Sequence, residues 1–552
     1  MKSIFNNTWS ILHKKEKRRF VLQTCMDIMI SIADIIFLAA LLWIINFYIQ
    51  PGTLKNISFL PAWITGQKPV VLISVFVVLF AIKNIAAYLV TRTHYKFTSA
   101  VAVRISKNMM DRYLRSEYPE FVTTDSSAWI RKIALQPFDF AQQVLSGFQQ
   151  VIAQFILIVI AITAILLFNA KLFLLLLVIL LPPVIVIFFF IRKRLSVIKK
   201  RIRDNNERSY QYLIDTLKGY VEANIYQRKE FFLERFIKYR QKFSSALFNS
   251  LSLQNLPARM IEVFAIAGLF LLVLIAEWTG NTNSNSLVTI GAFMAAAYKI
   301  IPGFVKLINL SGQIKAYEFS SEELGQKASD EKNRSLNDTV ILSVVLKNIS
   351  FQYAGKPVLK DLSFSAGKGD FIGIHGESGI GKTTVINLLL GFLKPNAGEI
   401  LINDITANCE TLKQYWPSIS YVRQQSFFIY DTIEKNITLQ EEASDETKLA
   451  KALKLSGLDK LIAAFPEGLQ KIVTENGKNI SGGQQQRISL ARAIYKDADL
   501  LLLDEPLNEL DETSSAAVLE QLKELSVNGK IIILITHDKK SLAYCNKTVS
   551  ID

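Results

Sequence analysis

The segment Gly376-Glu377-Ser378-Gly379-Ile380-Gly381-Lys382-Thr383 has the residue types and spacing of a phosphate-binding loop. Its glycines let consecutive backbone N–H groups curl around phosphate oxygens. Lys382 would neutralise the β- and γ-phosphates of a nucleotide, and Thr383 would ligate Mg2+. The flanks separate this reading from a plain glycine-rich turn. Phe371–His375 reads as a strand, and Thr384–Leu390 reads as an apolar helix start that brings Thr384 into the same site. A second run, Leu500-Leu501-Leu502-Leu503-Asp504-Glu505, delivers two carboxylates at a strand end. Asp504 would hold Mg2+, mainly through water, and Glu505 is placed to polarise an attacking water. Alone, that run also describes a buried strand with an acidic end. The third, Ile480-Ser481-Gly482-Gly483-Gln484-Gln485-Gln486-Arg487, sets a Ser-Gly-Gly step before a helix over Gln484–Ile494. Free N–H groups and the helix dipole point the same way there, toward an anion. The bland alternative is an ordinary helix cap.

These groups need a scaffold. From about Val340 short β-rich runs alternate with helical ones, the pattern of an α/β domain on a mostly parallel sheet. The preceding chain is of another kind. Of the 552 residues 50% are hydrophobic, too many for a purely soluble protein and too few for one lying wholly in lipid. Stretches of about 20 apolar residues can cross a bilayer. Candidates are Ile28–Ile49, Val70–Val90, Val151–Phe168, Leu172–Ile191, Ile261–Ala276 and Val288–Leu310. The fold expected is multidomain: a six-span α-helical membrane domain over 1–312, a polar linker over 313–339, and an α/β nucleotide-binding domain over 340–552.

The net charge is +15, which could signal nucleic acid, but the basic residues cluster beside the apolar runs. Lys14 to Arg19, Arg92 to Arg115 and Arg192 to Arg203 are rich in Lys and Arg, whereas the opposite loops carry only Lys55, Lys68 and Lys171. Positive charge marks the cytoplasmic side, so both termini are expected there and no nucleic-acid partner is. The long loops on that side have helical periodicity and predict membrane helices that run on and reverse over a short cross-helix. Cys25, Cys409 and Cys545 have no metal-site spacing, and the first apolar run lacks a cleavage site for a signal peptide.

Together the three motifs resemble those of the ATP-binding-cassette family, whose own signature is the third, and the resemblance covers the whole chain. It implies ATP and Mg2+ as cofactors and adds residues. Tyr353, in Phe351-Gln352-Tyr353, matches the aromatic that stacks on adenine. Gln424 matches the glutamine that senses Mg2+ and water, His537 the switch histidine at the γ-phosphate, and Glu475 an acidic residue near the cross-helices. Ser481, Gly482, Gly483 and Gln484 would complete the ATP site of an opposing subunit, so a chain with one membrane half and one cassette must pair, here with an identical copy. The order of domains resembles exporters. Two departures stand out. Asn508-Glu509-Leu510-Asp511 replaces the usual Ser-Ala-Leu-Asp, keeping Asp511, and the chain closes at Asp552, sooner after His537 than is usual.

Ionisable residues in membrane helices cost about 2.5–3.5 kcal/mol each on insertion scales, which suggests function for Asp34, Glu262, Lys299 and Lys306. Lys299 and Lys306 are seven apart, on one helix face, and could receive a phosphate; they could equally snorkel or pair with Asp34 or Glu262. The run Tyr298 to Lys306 is similar to a segment of the bacterial lipid-linked oligosaccharide flippases, as are Pro257 and Glu262. Ile57–Ile64 could be an interfacial patch like theirs, or a plain aromatic anchor. The resemblance implies an ATP-hydrolysing flippase of a lipid-linked oligosaccharide or related amphipathic substrate, multi-pass in a bacterial inner membrane. The alternatives are an exporter of peptides, lipids or drugs, and an ATP-gated channel or regulator.

Overall fold

The computed structural model describes residues 2–49, 69–168, 170–278, 303–315, 317–325, 339–353, 355–377 and 379–551. Ser378, Lys299, the patch Ile57–Ile64 and most of the sixth expected span lie outside them. The chain divides into two compact units, Met1–Ser116 with Thr123–Asp330, and Glu117–Val122 with Glu331–Asp552.

The first unit is helical. After α1 (Lys2–Ile11) come α2 (Lys14–Ile49) and α3 (Pro69–Leu114); the short α4 (Tyr118–Thr123) that follows in the chain falls, all but its last residue, in the second unit. A continuous helical stretch over Ser126–Leu145 leads into α5 (Ser146–Phe168). It loosens to π geometry at Arg131–Leu135, next to Pro137, whose missing N–H and bulky ring break the regular ladder. Then follow α6 (Ala170–Lys218), a short α7 (Tyr220–Ile225), α8 (Lys229–Trp278), α9 (303–315) and α10 (Glu318–Gly325). Thus α3 and α6 run on well past the apolar stretches and reverse over short helices, as the periodicity predicts.

Three helices among the described residues are long and apolar enough to cross a membrane, within Lys14–Phe37, Ile73–Leu114 and Ser126–Ile160. They overlap the first three expected spans. The fourth and fifth expected stretches are helical, inside α6 and α8. The most apolar window of α3 buries none of its residues. An apolar surface of that extent requires lipid or a partner to cover it. Beyond the apolar part the same helix becomes a core element, because Phe97, Val101 and Ile105 recur every four residues on one face. They pack with Ile4, Phe20, Phe140, Leu145, Ile314 and Leu324. A Cβ on Gly147 would lie 2.8 Å from Ile314 Cγ1, so glycine there lets α5 approach α9. The polar stretch expected as linker is folded in its first part: α10 buries Ser320 and Ser321 completely and sends Leu324 into this core. Its serines and glutamates hide that from a composition reading.

α6 and α8 form a hairpin, locked by aromatic and cationic contacts. Tyr212 stacks on Tyr239 at 5.2 Å, Arg208 donates to the Tyr239 hydroxyl at 3.1 Å, and Arg235 lies 4.9 Å from the Tyr212 ring centre.

The second unit is α/β. An antiparallel sheet has the order β2-β1-β4-β5, from β1 (Ser343–Tyr353), β2 (Lys356–Gly367), β4 (Ala397–Ile402) and β5 (Ile405–Thr406). A parallel sheet has the order β9-β3-β8-β7-β6. Its strands are β3 (Phe371–His375), β6 (Ile419–Val422), β7 (Leu500–Asp504), β8 (Ile531–Ile535) and β9 (Lys547–Ser550). Alternation, with both faces covered, explains why β8 is apolar at every position and β7 at every position before Asp504. Leu500, Leu502, Ile531, Ile533 and Ile535 pack toward α11 (Lys382–Leu389) and the antiparallel sheet. Leu501, Leu503, Ile532 and Leu534 pack toward α12 (Gly482–Tyr495) and α13 (Glu512–Val527).

Candidate nucleotide site

Parallel pairing sets β3, β8 and β7 side by side with their carboxyl ends together, the edge where open α/β sheets hold ligands. Ile535 pairs with Asp504 on one side and with Ile374 on the other. The glycine-rich loop, His537 and the Asp504-Glu505 pair therefore leave the sheet at adjacent points. Gly381 sits at φ 115°, where a side chain would be strained and its Cβ would meet Val358 Cγ1 at 2.6 Å.

Lys382 is 7% exposed, and its ammonium donates to the carbonyls of Gly376 at 2.8 Å and Glu377 at 3.0 Å. The Thr383 hydroxyl donates to Asp504 Oδ2 at 3.0 Å. Burial pushes the Asp504 carboxyl above its ordinary range; the Thr383 hydrogen bond opposes this, the Glu505 charge adds to it, and Lys382 opposes it. A hydroxyl and a desolvated carboxylate side by side form an all-oxygen donor pair that suits a hard divalent cation such as Mg2+.

Glu505 takes φ 50°, and its N–H donates to Ile535 O at 3.0 Å. The turn aims its carboxylate at three side chains. Oε2 accepts from Gln424 Nε2 at 2.9 Å and from Asn508 Nδ2 at 2.8 Å, and Oε1 lies 3.5 Å from His537 Nδ1. Three residues expected to work together thus converge, and the structure adds Asn508. The sequence showed Asn508 only as a departure; a contact to Glu505 was legible only as proximity in the chain.

The Ser-Gly-Gly step opens α12 two residues earlier than expected. Ser481 caps it reciprocally: Gln484 N–H donates to Ser481 Oγ at 3.4 Å, and Ser481 N–H donates to Gln484 Oε1 at 3.0 Å. A Cβ on Gly482 would meet Glu509 Oε2 at 2.9 Å. The Glu509 N–H donates to Gln486 Oε1 at 2.9 Å, so Glu509, the other changed residue of that loop, packs on the signature helix. Asp511 caps α13, with hydrogen bonds from Ser514 and Thr513 holding its carboxyl well below the usual range. Tyr353 is exposed at the end of β1, edge-on to Phe351 at 4.8 Å. Thr384 is buried in α11, and Glu475 is exposed with Lys478 at 3.8 Å.

In the first unit Asp34 is ion-paired with Lys83, which also lies 4.8 Å from the Phe80 ring centre. Lys83 stands inside the second apolar stretch, and its charge there was a signal the sequence reading passed over. The pair leaves Asp34 without need of Lys299 or Lys306. Lys306 is exposed on α9, and Glu262 lies within α8.

Residues 20–298 match the ABC transporter transmembrane region and residues 359–508 match the ABC transporter family. The chain belongs to the ABC transporter family. A probable ABC transporter ATP-binding/permease protein of Haemophilus influenzae is 29% identical over 62% of this transporter, and the match spans 62% of that protein. A putative export ATP-binding/permease protein of Rickettsia felis is 34% identical, over 38% of its own length. The ATP-dependent lipid A-core flippase of Xanthomonas oryzae is 25% identical over 91% of this transporter and 86% of its own length. A bacterial Atm1-family ABC exporter, solved with ATP bound, shares the fold with a TM-score of 0.78 at 18% identity, covering 98% of this chain and 94% of that one. The fold of this transporter is thus a helical membrane region followed by a nucleotide-binding domain, in an integral membrane protein.

Proposed function

We propose that this ABC transporter hydrolyses ATP to move a phosphate-bearing, lipid-linked sugar or related amphiphile across a bacterial inner membrane, as a dimer of identical chains. The observation that carries the enzymatic part is the convergence on Glu505. Its carboxylate is held by Gln424 and Asn508 on one oxygen and faces His537 with the other. That arrangement orients a base toward a water attacking the γ-phosphate. Lys382 and the loop amides from Gly376, Gly379 and Gly381 bind phosphate oxygens, Tyr353 offers a face to adenine, and Thr383, Asp504 and Gln424 hold Mg2+. When bound, Mg2+ neutralises developing phosphate charge. Ser481, Gly483 and Asp511 of each chain would close the site of its partner.

The length of the match to lipid A-core flippases supports a lipid substrate. Positive charge beside the apolar helices supports cytoplasmic termini. The test uses liposomes with a fluorescent polyprenyl-pyrophosphate glycan. ATP-dependent transfer that disappears in Glu505→Gln is expected. Robust ATPase with no transfer would move the substrate to peptides, other lipids or drugs, and normal hydrolysis by Glu505→Gln would remove Glu505 from its role.

A further inference from the structure

Two consecutive side chains of the signature helix α12 reach toward the loop that follows Glu505. Gln486 is buried and accepts the Glu509 N–H at 2.9 Å. Arg487 spans a wider gap. Its Nη1 donates to the Gly457 carbonyl at 2.6 Å, and its Nη2 donates to Ser514 Oγ at 2.6 Å. A guanidinium holds its donors in a rigid fork, so it fixes two acceptors relative to each other.

The two acceptors lie on different elements. Gly457 follows the helix Glu446–Leu455 and takes φ 63°. The Gly457 and Leu458 N–H groups close that helix on the Lys454 and Leu453 carbonyls at 3.1 and 2.9 Å, which leaves the Gly457 carbonyl for Arg487. A Cβ on Gly457 would collide with Arg487 Nη1. Ser514 stands in the first turn of α13, where its N–H donates to Asp511 Oδ2 at 3.1 Å. Arginine has no acceptor, so Ser514 Oγ takes a proton from it and keeps its own to give. That proton goes to Asp511. The loop 508–511 is therefore pinned at two points, Glu509 by Gln486 and Asp511 by Arg487 through Ser514. A turn closed by the Leu510 N–H on Leu507 O at 3.1 Å stiffens it. At its start stands Asn508, whose amide donates to Glu505 Oε2 at 2.8 Å.

We propose that Arg487 is a positioning residue for hydrolysis: by fixing Ser514, and through it Asp511, it sets the loop whose Asn508 amide orients the Glu505 carboxylate. The proposal rests on the reading of Glu505 as the base. It gives the signature helix a role within its own chain, beside the one proposed for it at the partner's ATP.

The experiment measures phosphate release across ATP concentrations by the protein in liposomes, with equilibrium binding of a fluorescent ATP analogue to the same preparations. Ser514→Ala removes the hydroxyl but keeps the backbone cap and adds a good helix former, so the fold is spared. It should lower kcat about fivefold, the worth of one hydrogen bond, with KM for ATP and analogue affinity unchanged. Ser514→Thr keeps the hydroxyl and should restore the rate. Arg487→Ala should lower kcat at least as much, and Arg487→Lys, with one ammonium for two acceptors, should recover only part. In an Asn508→Ala background the amide through which Arg487 acts is gone, so Ser514→Ala should lower kcat by less than about twofold there. A full fivefold loss in that background, an equal loss in Ser514→Thr, or a loss confined to KM overturns the positioning role. Unchanged kcat in both Ser514→Ala and Arg487→Ala does the same when Glu505→Gln is inactive. Normal hydrolysis by Glu505→Gln overturns instead the reading on which the proposal rests.

Discussion

Removing the Asn508 amide tests how Glu505 is held. Glu505 Oε2 accepts two amide hydrogen bonds, from Gln424 at 2.9 Å and Asn508 at 2.8 Å. A hydrogen bond to a charged acceptor contributes about 1.5–3 kcal/mol when fully protected from water. Asn508 is exposed and the Gln424 bond survives its loss, so the effect of Asn508→Ala on the carboxylate's orientation is about 1 kcal/mol, a fall of roughly fivefold in kcat. KM for ATP should hold, because Asn508 has no bond to the phosphate loop. Asn508→Asp sets a carboxylate against a carboxylate. Two like charges at about 4 Å repel by roughly 4 kcal/mol at a near-surface dielectric, so the loss should exceed tenfold. Phosphate release measured across ATP concentrations separates the two constants. Unchanged kcat in both variants, or a loss confined to KM, refutes Asn508 as a positioning residue. Asn508→Gln, whose amide can reach the same oxygen, should recover part of the rate.

The other predictions use independent features. Burial raises the Asp504 pKa, so its ionised form costs stability in metal-free protein, a cost that grows as pH rises from the usual carboxylate range through the raised value. Asp504→Asn should therefore melt higher than the unmodified protein in chelator at pH 7.5, with the gap narrowing as pH falls through the raised value toward the usual carboxylate range; a pH-independent gap contradicts the cause given. Gly381→Ala, at φ 115° and against Val358, should destabilise by about 1–3 kcal/mol and abolish nucleotide binding, read by melting and by equilibrium binding of a fluorescent ATP analogue. Lys83→Met leaves Asp34 alone; since Asp34 is 42% exposed, the cost is about 1–2 kcal/mol. Asp34→Asn with Lys83→Met should restore most of that loss in thermal melts, and simple additivity would show that the two do not interact.

What could be read from sequence depended on whether chemistry or packing chose the residue. The phosphate loop, Asp504-Glu505 and Ser481-Gly482-Gly483 were legible because phosphate and metal demand fixed types at fixed spacing. Strands β3 and β8 were legible to the residue, since burial on both faces keeps charge out of Phe371–Ile374 and makes Ile531–Ile535 apolar throughout. The start of α12 was placed two residues late although Ser481 and Gln484 carry the capping-box spacing. Asn508 could not be assigned because its partner is fixed by a turn with positive φ at Glu505, which an L-residue sequence does not advertise. The helix α10 was read as linker because the serines it buries are polar. Lys83 was legible, as a charge inside an apolar stretch.

The α6–α8 hairpin has a mechanical consequence. From Ile191 to Lys218 the helix α6 extends about 40 Å beyond its apolar stretch. Tyr212, Tyr239, Arg208 and Arg235 brace it against α8 over the turn Arg208–Tyr212, so parting the helices there means separating stacked rings. Such a braced pair is a lever. A tilt of about 10° at the apolar end carries the tip at α7 through roughly 7 Å, more than one helical turn. A rearrangement of a few atomic contacts among the spans is thereby geared up into a stroke of a whole turn at the far end, and the same gearing runs in reverse.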